Sequence, residues 1–509
     1  MLFPVVADTS REGRAVSIFL SCLEHVSEYG RLLLGELGVR THSRSSIETW
    51  TEVNLKKTGS KALRPDGLMI VRNGEMKWSA LVEAKIGPAE LTAEQVEAYL
   101  DLAKLNGVDG LITISNQFAP YPSHYPLAIS PVAAKKAFLS HWSWTDLLTK
   151  AEIILAKGQV RDPVQTQVLT QLARFLGNPA SGVQGYDLMP PAWTDLVGLV
   201  QSRTPITSRS IEVQDVVSAW HQKTQDLSAR LSRRYKEKVV VKIPKAHAAD
   251  SFERTRSDTA TLVETHCVQS DFAIPGAVGP VSVTCDFGKR AIYFSTELDA
   301  PQDRKSTKAR VNWLLRQLER TSPESVHIRL IWPGKTPYTQ FQLETLRRAP
   351  EIAEIAGKAV ARFEVIVVRD LGGRFLKRKN FNGELEGVYA FFEEIGRNLK
   401  AWQPPKVREA GTQTTVTVET DEFEAVATGE ELPSVPSQSK VQSETHLDFH
   451  LGETGGRPAE EQEVLSILAS AIGRRILPVP DAATTRRLLE FRLPELLVAQ
   501  AASIGTANR

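Results

Sequence analysis

Three ionisable residues, Asp66, Glu83 and Lys85, carry the clearest chemical pattern in the chain. The sequence around them predicts two strands joined by a turn at Asn73-Gly74, and strand alternation places Glu83 and Lys85 on the same face. The position of the turn brings Asp66 roughly opposite Glu83, with Cβ atoms about 4.5–5.5 Å apart. Two carboxylates at this separation repel each other unless a cation lies between them, and oxygen ligands suit Mg²⁺. The pattern therefore predicts a divalent-cation site.

The elements that must position these residues follow the order α-β-β-β-α-β. Apolar residues recur at helical spacing near the N-terminus, and strand-like alternation follows. A threonine cap begins the second helix, and an Asn-Gly pair ends it. The predicted elements are a helix at Arg11–Leu37, strands at Ile47–Leu55, Gly67–Val71 and Trp78–Ile86, a helix between Thr92 and Asn106, a strand at Gly110–Ser115, and a strand running into a helix at Phe138–Leu147.

The motif Pro65-Asp66, followed by Glu83-Ala84-Lys85 in this element order, resembles the PD-(D/E)XK nuclease superfamily. That superfamily includes restriction endonucleases and nuclease domains related to RecB. The resemblance covers about residues 1–150 and implies an α/β, restriction endonuclease-like N-terminal domain. It also implies that Asp66 and Glu83 bind Mg²⁺ or Mn²⁺. Lys85 would act as the catalytic base or as a charge stabiliser.

Three further residues are candidates for the site, and two of them, Gln95 and Glu12, also have a structural interpretation. Gln95 and Tyr99 lie four apart on one helix face and resemble the QxxxY signature of the RecB-related branch, which contacts DNA or supports the site. Glu12, near the start of the first helix, matches an additional acidic metal ligand found in family members. However, Thr92 with Gln95, and Thr9 with Glu12, also form capping boxes, in which the side chain satisfies a backbone N–H at a helix start.

The alternative to a catalytic motif is a hairpin with a surface ion pair between Glu83 and Lys85, because a PD followed by ExK is common by chance. The apolar neighbours of the carboxylates, the turn position and the following helix favour the catalytic interpretation. Glu48 and Glu52 are expected to be solvated. His124 and His141 have no companion at metal-ligand spacing and are expected to be structural.

The remainder of the chain predicts four further segments. Residues 151–238 form a helical connecting region, and residues 239–402 form an α+β domain that includes a strand at Ala260–Val268. Apolar periodicity stops over residues 403–460, which predicts a disordered acidic linker. Residues 461–509 carry two amphipathic patterns and predict a small helical module that could mediate homo-oligomerisation or bind a protein partner.

Bulk composition narrows the function classes. The chain has 509 residues, a formal net charge of +2 and three cysteines. Three scattered cysteines are too few for a disulfide framework. No signal peptide and no membrane-spanning apolar run is visible in the sequence, so we expect a cytoplasmic protein with no membrane partner. The leading hypothesis is a nuclease that hydrolyses DNA in defence against foreign DNA or in repair. The alternatives are an RNA nuclease and a non-catalytic nucleic-acid-binding or regulatory protein on the same fold.

Overall fold

The computed structural model of the protein describes residues 11–55, 63–122, 124–322, 324–379 and 381–404. Within these ranges the chain is mixed α/β and forms two β-sheets, one of five strands and one of seven. The predicted C-terminal module and all but the first two residues of the predicted linker lie outside the described residues.

The first sheet has the strand order β1-β2-β3-β4-β5. The first three strands pair antiparallel, whereas β4 runs parallel to both β3 and β5. A parallel pair requires a crossover connection, which α3 provides between β3 and β4. The elements are α1 Arg11–His25, α2 Ser27–Glu36, β1 Ser46–Thr51, β2 Gly67–Asn73, β3 Met76–Ala84, α3 Ala93–Leu105, β4 Gly110–Ser115, α4 Pro131–Ala134, β5 Phe138–Ser143, α5 Trp144–Ala156 and α6 Pro163–Gly177.

The β2–β3 hairpin has the predicted register. Asn73 pairs with Met76 and Gly67 pairs with Val82, so the next position along each strand brings Asp66 opposite Glu83. Gly74 occupies the turn with a positive φ of 63°, a conformation that glycine adopts without steric cost.

Helices cover the two faces of the first sheet. Residues of α1, α2, α5 and α6 pack with β3 residues Ala80, Val82 and Ala84 in one core. Residues of α3 pack with Leu81 on the opposite face. Because successive strand residues alternate in direction, Glu83 shares the face of Leu81 and points towards α3.

The single helix predicted at Arg11–Leu37 is two helices in the structure, α1 and α2, which meet at Val26. The backbone N–H of Ser27 donates to the side-chain oxygen of Gln165 at 3.1 Å, so this N–H leaves the helical hydrogen-bond ladder. Gln165 belongs to α6, and its position depends on tertiary packing that local periodicity does not encode.

The second sheet has the strand order β11-β10-β12-β9-β8-β7-β6, with antiparallel pairing throughout the described strands. Its core takes residues from α7, α8, α10 and α11. The strands are β6 Val240–Lys242, β7 Cys267–Ala273, β8 Val281–Asp286, β9 Ala291–Asp299, β10 Val326–Ile331, β11 Thr339–Gln342 and β12 Arg362–Asp370.

Helices and turns complete the described part of the chain. The helices are α7 Pro191–Gln201, α8 Ile211–Tyr235, α9 Lys245–Ala249, α10 Ser251–Thr265, α11 Thr307–Gln317, α12 Leu343–Arg348, α13 Phe381–Leu385 and α14 Gly387–Phe391. Short 3₁₀ turns occur at Pro179–Ser181, Pro350–Ala353 and Gly372–Leu376, and a π-helical turn occurs at Phe392–Gly396.

The predicted strand at Ala260–Val268 is wrong, because most of this segment is the C-terminal part of α10. Asp250 begins the helix by accepting hydrogen bonds from the backbone N–H groups of Phe252 and Glu253. Threonine favours strands, but within α10 the Thr259 hydroxyl donates to the carbonyl of Thr255, four residues earlier. A local cap therefore outweighs the β-propensity of the segment.

We expect Thr92→Ala to destabilise α3, the helix that faces Glu83. The Thr92 hydroxyl caps α3 by accepting a hydrogen bond from the backbone N–H of Gln95 at 3.3 Å. Loss of an N-cap costs about 1 kcal/mol of stability. Thermal unfolding should give a lower Tm for Thr92→Ala than for the control Thr92→Ser, which retains the cap. Equal Tm values for the two variants would contradict the prediction.

Candidate functional site

The structure brings Asp66, Glu83 and Lys85 together at the C-terminal end of β3. Lys85 Nζ donates to Glu83 Oε1 at 3.0 Å and to the carbonyl of Ala84 at 3.2 Å. Asp66 Oδ2 accepts a hydrogen bond from the backbone N–H of Ala84 at 2.8 Å. The two carboxylates and the ammonium group therefore form one cluster, as the hairpin register predicts.

Glu83 is the most deeply buried member of this cluster, with 3% of its surface exposed. Burial raises the pKa of Glu83 to about 7, and the nearby Asp66 carboxylate adds to the rise, whereas Lys85 and the Tyr99 hydroxyl oppose it. Glu83 Oε2 is buried and accepts no hydrogen bond from the described residues. A buried carboxylate oxygen without a partner is costly, so this atom could accept a cation or a hydrogen-bond donor from a ligand.

Burial and neighbouring charges also shift the pKa values of Asp66 and Lys85. Burial raises the pKa of Asp66, although the Ala84 N–H and the charge of Lys85 oppose the rise. Burial by itself would lower the pKa of Lys85, but the carboxylates of Glu83, Glu12 and Asp66 outweigh it and raise this pKa. Lys85 is therefore an ammonium cation at neutral pH in this arrangement.

Helix α3 contributes Gln95 and Tyr99 to the cluster. Gln95 Nε2 donates to Glu83 Oε1 at 2.8 Å, and the backbone N–H of Gln95 donates to the Thr92 hydroxyl that caps α3. The side chain of Gln95 therefore contacts the carboxylate instead of completing a capping box. The buried Tyr99 hydroxyl donates to the carbonyl of Arg64 at 3.1 Å, and burial with the neighbouring carboxylates raises the pKa of Tyr99.

Glu12 lies on the other side of Lys85. Glu12 Oε2 is 3.5 Å from Lys85 Nζ, so the lysine lies between the carboxylates of Glu12 and Glu83. The predicted capping partner of Glu12, Thr9, lies outside the described residues. The contact with Lys85 places Glu12 at the edge of the cluster.

Residues from distant parts of the chain fix the backbone that follows Glu83. The backbone N–H of Lys85 donates to the carbonyl of Ile114 at 2.8 Å, and the indole N–H of Trp144 donates to the carbonyl of Lys85 at 2.9 Å. Asn116 Nδ2 donates to the carbonyl of Gly87 at 3.1 Å. Trp144 and Asn116 carry no local signal for these contacts, so the sequence pattern does not predict either of them as a site residue.

The weaker candidates lie outside the cluster, as expected. Glu48 Oε1 pairs with Arg72 Nε at 2.8 Å, and Glu52 pairs with Arg64, with all four side chains more than one third exposed. His141 is hydrogen-bonded at both ring nitrogens, to the Thr113 hydroxyl and to a backbone carbonyl. Burial lowers the pKa of His141 to about 4, which is consistent with a neutral, structural histidine.

The donor set is compatible with a hard cation that keeps part of its water shell. Among the described residues, no group of three or more His, Cys, Asp or Glu side chains is arranged to hold a metal ion. Mg²⁺ in nucleotide-processing sites is commonly held by one or two carboxylates, with water and substrate phosphate completing the octahedron. Asp66 and Glu83 meet that smaller requirement, and the unpartnered Glu83 Oε2 supplies a free oxygen.

A cavity of about 450 Å³ lies elsewhere, between residues of α5 and residues of α8 and β6. Its charged side chains pair with neighbouring charges: Lys150 and Lys238 both contact Glu36. These lysines of the cavity already have partners, whereas the cluster around Glu83 keeps one carboxylate oxygen without a partner.

Comparison of the chain with protein-family models, with curated proteins and with solved structures finds no match in any of the three sets. Within the described ranges, no helix combines the length and the apolar character needed to cross a bilayer. The function of the chain must therefore be inferred from the geometry of the cluster and from the sequence motif.

We expect Glu83→Gln to stabilise the metal-free protein at alkaline pH. Unfolding returns the pKa of Glu83 from about 7 to its ordinary value of 4.5, so the native state holds more protons between these pH values. The free energy of unfolding therefore falls as pH rises through this window, and glutamine removes that loss. Denaturation in EDTA should show Glu83→Gln more stable than wild type at pH 8, by roughly 3 kcal/mol.

Other titrations leave this expectation intact. The raised pKa of Asp66 acts with the same sign, and its largest cause, burial, is present in both proteins. The raised pKa of Lys85 removes stability only above its ordinary value of 10.5, outside the window. The exposed Glu48→Gln is the control and should follow wild type at every pH. A constant difference between Glu83→Gln and wild type from pH 4.5 to pH 8 would contradict the prediction.

Proposed function

We propose that the chain is a metal-dependent nuclease that hydrolyses DNA phosphodiester bonds, built on a restriction endonuclease-like N-terminal fold. The observation that carries the proposal is the cluster of Asp66, Glu83 and Lys85, with one buried carboxylate oxygen left without a partner. The strand pairing around the cluster supports it, since an antiparallel β1-β2-β3 meander is followed by α3 and the parallel strand β4.

In the proposed site, Asp66 and Glu83 would hold Mg²⁺ or Mn²⁺, and Glu12, whose Oε2 lies 3.5 Å from Lys85 Nζ, is the candidate for a further ligand. The bound cation would supply Lewis acidity towards a phosphate oxygen and would lower the pKa of the attacking water. Hydrolysis adds that water to phosphorus, breaks one P–O ester bond and transfers a proton to the leaving oxygen. A cation at this position also offsets the excess negative charge of the two carboxylates.

Lys85 is proposed to stabilise charge on the phosphate. The carboxylates raise its pKa and keep it protonated, which favours this role over that of a general base. An ammonium group placed where negative charge develops lowers the barrier because it is already oriented. Its hydrogen bonds to Glu83 Oε1 and to the Ala84 carbonyl provide this orientation before substrate binds.

Gln95 and Tyr99 are proposed to support the site, and the contact of Gln95 with Glu83 favours this role over direct contact with DNA. A donated hydrogen bond from Gln95 stabilises the ionised form of Glu83, the form that binds a cation. Tyr99 holds the carbonyl of Arg64, two residues before Asp66, and thereby fixes the start of β2.

We expect Asp66→Ala and Lys85→Ala to abolish Mg²⁺-dependent cleavage, by at least about 100-fold in rate. The assay uses labelled linear, circular and branched DNA, with an RNA of the same sequence beside it. Glu48→Ala is the matched control, because it removes an exposed carboxylate from the neighbouring strand β1 and should cleave as wild type does. Mg²⁺ should raise the Tm of wild type and leave that of Asp66→Ala unchanged.

The results separate the competing functions. Cleavage of RNA in preference to DNA would replace the DNA nuclease by an RNA nuclease. Binding of nucleic acid without cleavage at any Mg²⁺ or Mn²⁺ concentration would favour a non-catalytic or regulatory protein. Full activity of Asp66→Ala would refute the proposed site.

A further inference from the structure

The carbonyl group of Lys85 receives its hydrogen bond from outside the sheet. Strand β3 ends at Ala84, and the backbone N–H of Lys85 continues the parallel ladder by donating to the carbonyl of Ile114 at 2.8 Å. The Lys85 carbonyl is beyond the last β3 residue that pairs with β4. The indole N–H of Trp144 donates to it at 2.9 Å.

The Trp144 side chain has a fixed direction. It is fully buried, it is the first residue of α5, and its ring meets Phe19 of α1 edge-on, with centroids 6.1 Å apart and planes at 89°. Ser143 caps α5 by accepting a hydrogen bond from the backbone N–H of Asp146 at 3.0 Å, which fixes the first turn of this helix. The core therefore determines where the Trp144 N–H points.

We propose that Trp144 is a positioning residue of the nuclease site, acting through the backbone of Lys85. This inference rests on the function proposed above. The contacts from Ile114 and Trp144 fix the peptide groups on both sides of the Lys85 Cα atom, and they thereby fix the direction in which its side chain leaves the backbone. From that direction the side chain reaches both carboxylates, with Nζ 3.0 Å from Glu83 Oε1 and 3.5 Å from Glu12 Oε2.

Loss of the indole N–H would leave the Lys85 carbonyl without its donor. The peptide group that follows Lys85 could then rotate, and the long lysine side chain would sample more positions. A charge-stabilising group that is displaced by about 1 Å loses much of its catalytic effect, since orientation contributes strongly to rate. Binding of DNA depends on the wider surface, so we expect the effect in kcat and not in KM.

The chain contains a matched control in Trp142. Its ring also meets Phe19 edge-on, with centroids 5.9 Å apart and planes at 76°, and it belongs to the same core as Trp144. Among the described residues, however, the Trp142 indole N–H has no hydrogen-bond partner. Trp142→Phe therefore removes a comparable aromatic volume without removing a contact to Lys85.

The test compares Trp144→Phe with Trp142→Phe in the full chain. We expect both to lower the Tm, whereas Trp144→Phe alone lowers kcat for Mg²⁺-dependent DNA cleavage, by roughly 10- to 100-fold with KM little changed. Combined with Lys85→Ala, Trp144→Phe should cause no further loss of residual cleavage, because both changes act on the same group.

A second variant isolates the hydrogen bond if the phenylalanine variant does not fold. Replacement of Trp144 by 3-benzothienylalanine, in which sulfur takes the place of the indole N–H, keeps the shape of the ring and removes only the donor. This variant should also lose kcat. Wild-type kcat for this variant, or equal losses in Trp144→Phe and Trp142→Phe, overturns the positioning role while the nuclease proposal stands. Absence of cleavage by the wild-type chain overturns both.

Discussion

An excess of buried negative charge governs the arrangement around the β2–β3 hairpin. Asp66 and Glu83 share a site with one lysine, and burial raises the pKa of both carboxyl groups. An unpaired carboxylate in a protein interior is strongly disfavoured, so each oxygen needs a donor or a cation. The Ala84 N–H donates to Asp66, and Lys85 and Gln95 donate to Glu83 Oε1. Glu83 Oε2 has no donor among the described residues.

The groups that position the two carboxylates and Lys85 come from several elements, so the cluster depends on the layered fold. The hairpin supplies the carboxylates, α3 covers one face of the sheet and supplies Gln95, and α5 covers the other face and supplies Trp144. Strand β4 lies between these helices in the chain and fixes the Lys85 N–H. A change in the order of the strands would remove the contacts that come from outside the hairpin, those of Gln95, Ile114 and Trp144.

The predictable part of the site is the part encoded over short distances in the chain. Turn position and strand alternation were enough to place Asp66 opposite Glu83, and helical spacing was enough to place Gln95 and Tyr99 on one face. The local sequence pattern does not predict the contact between Trp144 and Lys85, because this contact depends on how α5 packs against the sheet. The same limit explains the misassigned segment Ala260–Val268, where the sequence preferred a strand and the Asp250 cap began a helix.

The backbone that follows Glu83 forms hydrogen bonds with residues far along the chain, which are synthesised much later. Gly87 donates its N–H to the carbonyl of Gly182, and Asn116 Nδ2 donates to the same carbonyl. Contacts between distant residues form late, because closing a long loop costs entropy before any contact is gained. During translation, the hairpin therefore leaves the ribosome well before the residues that complete its geometry. The backbone that follows Glu83 can therefore complete its hydrogen bonds only after Gly182 has emerged.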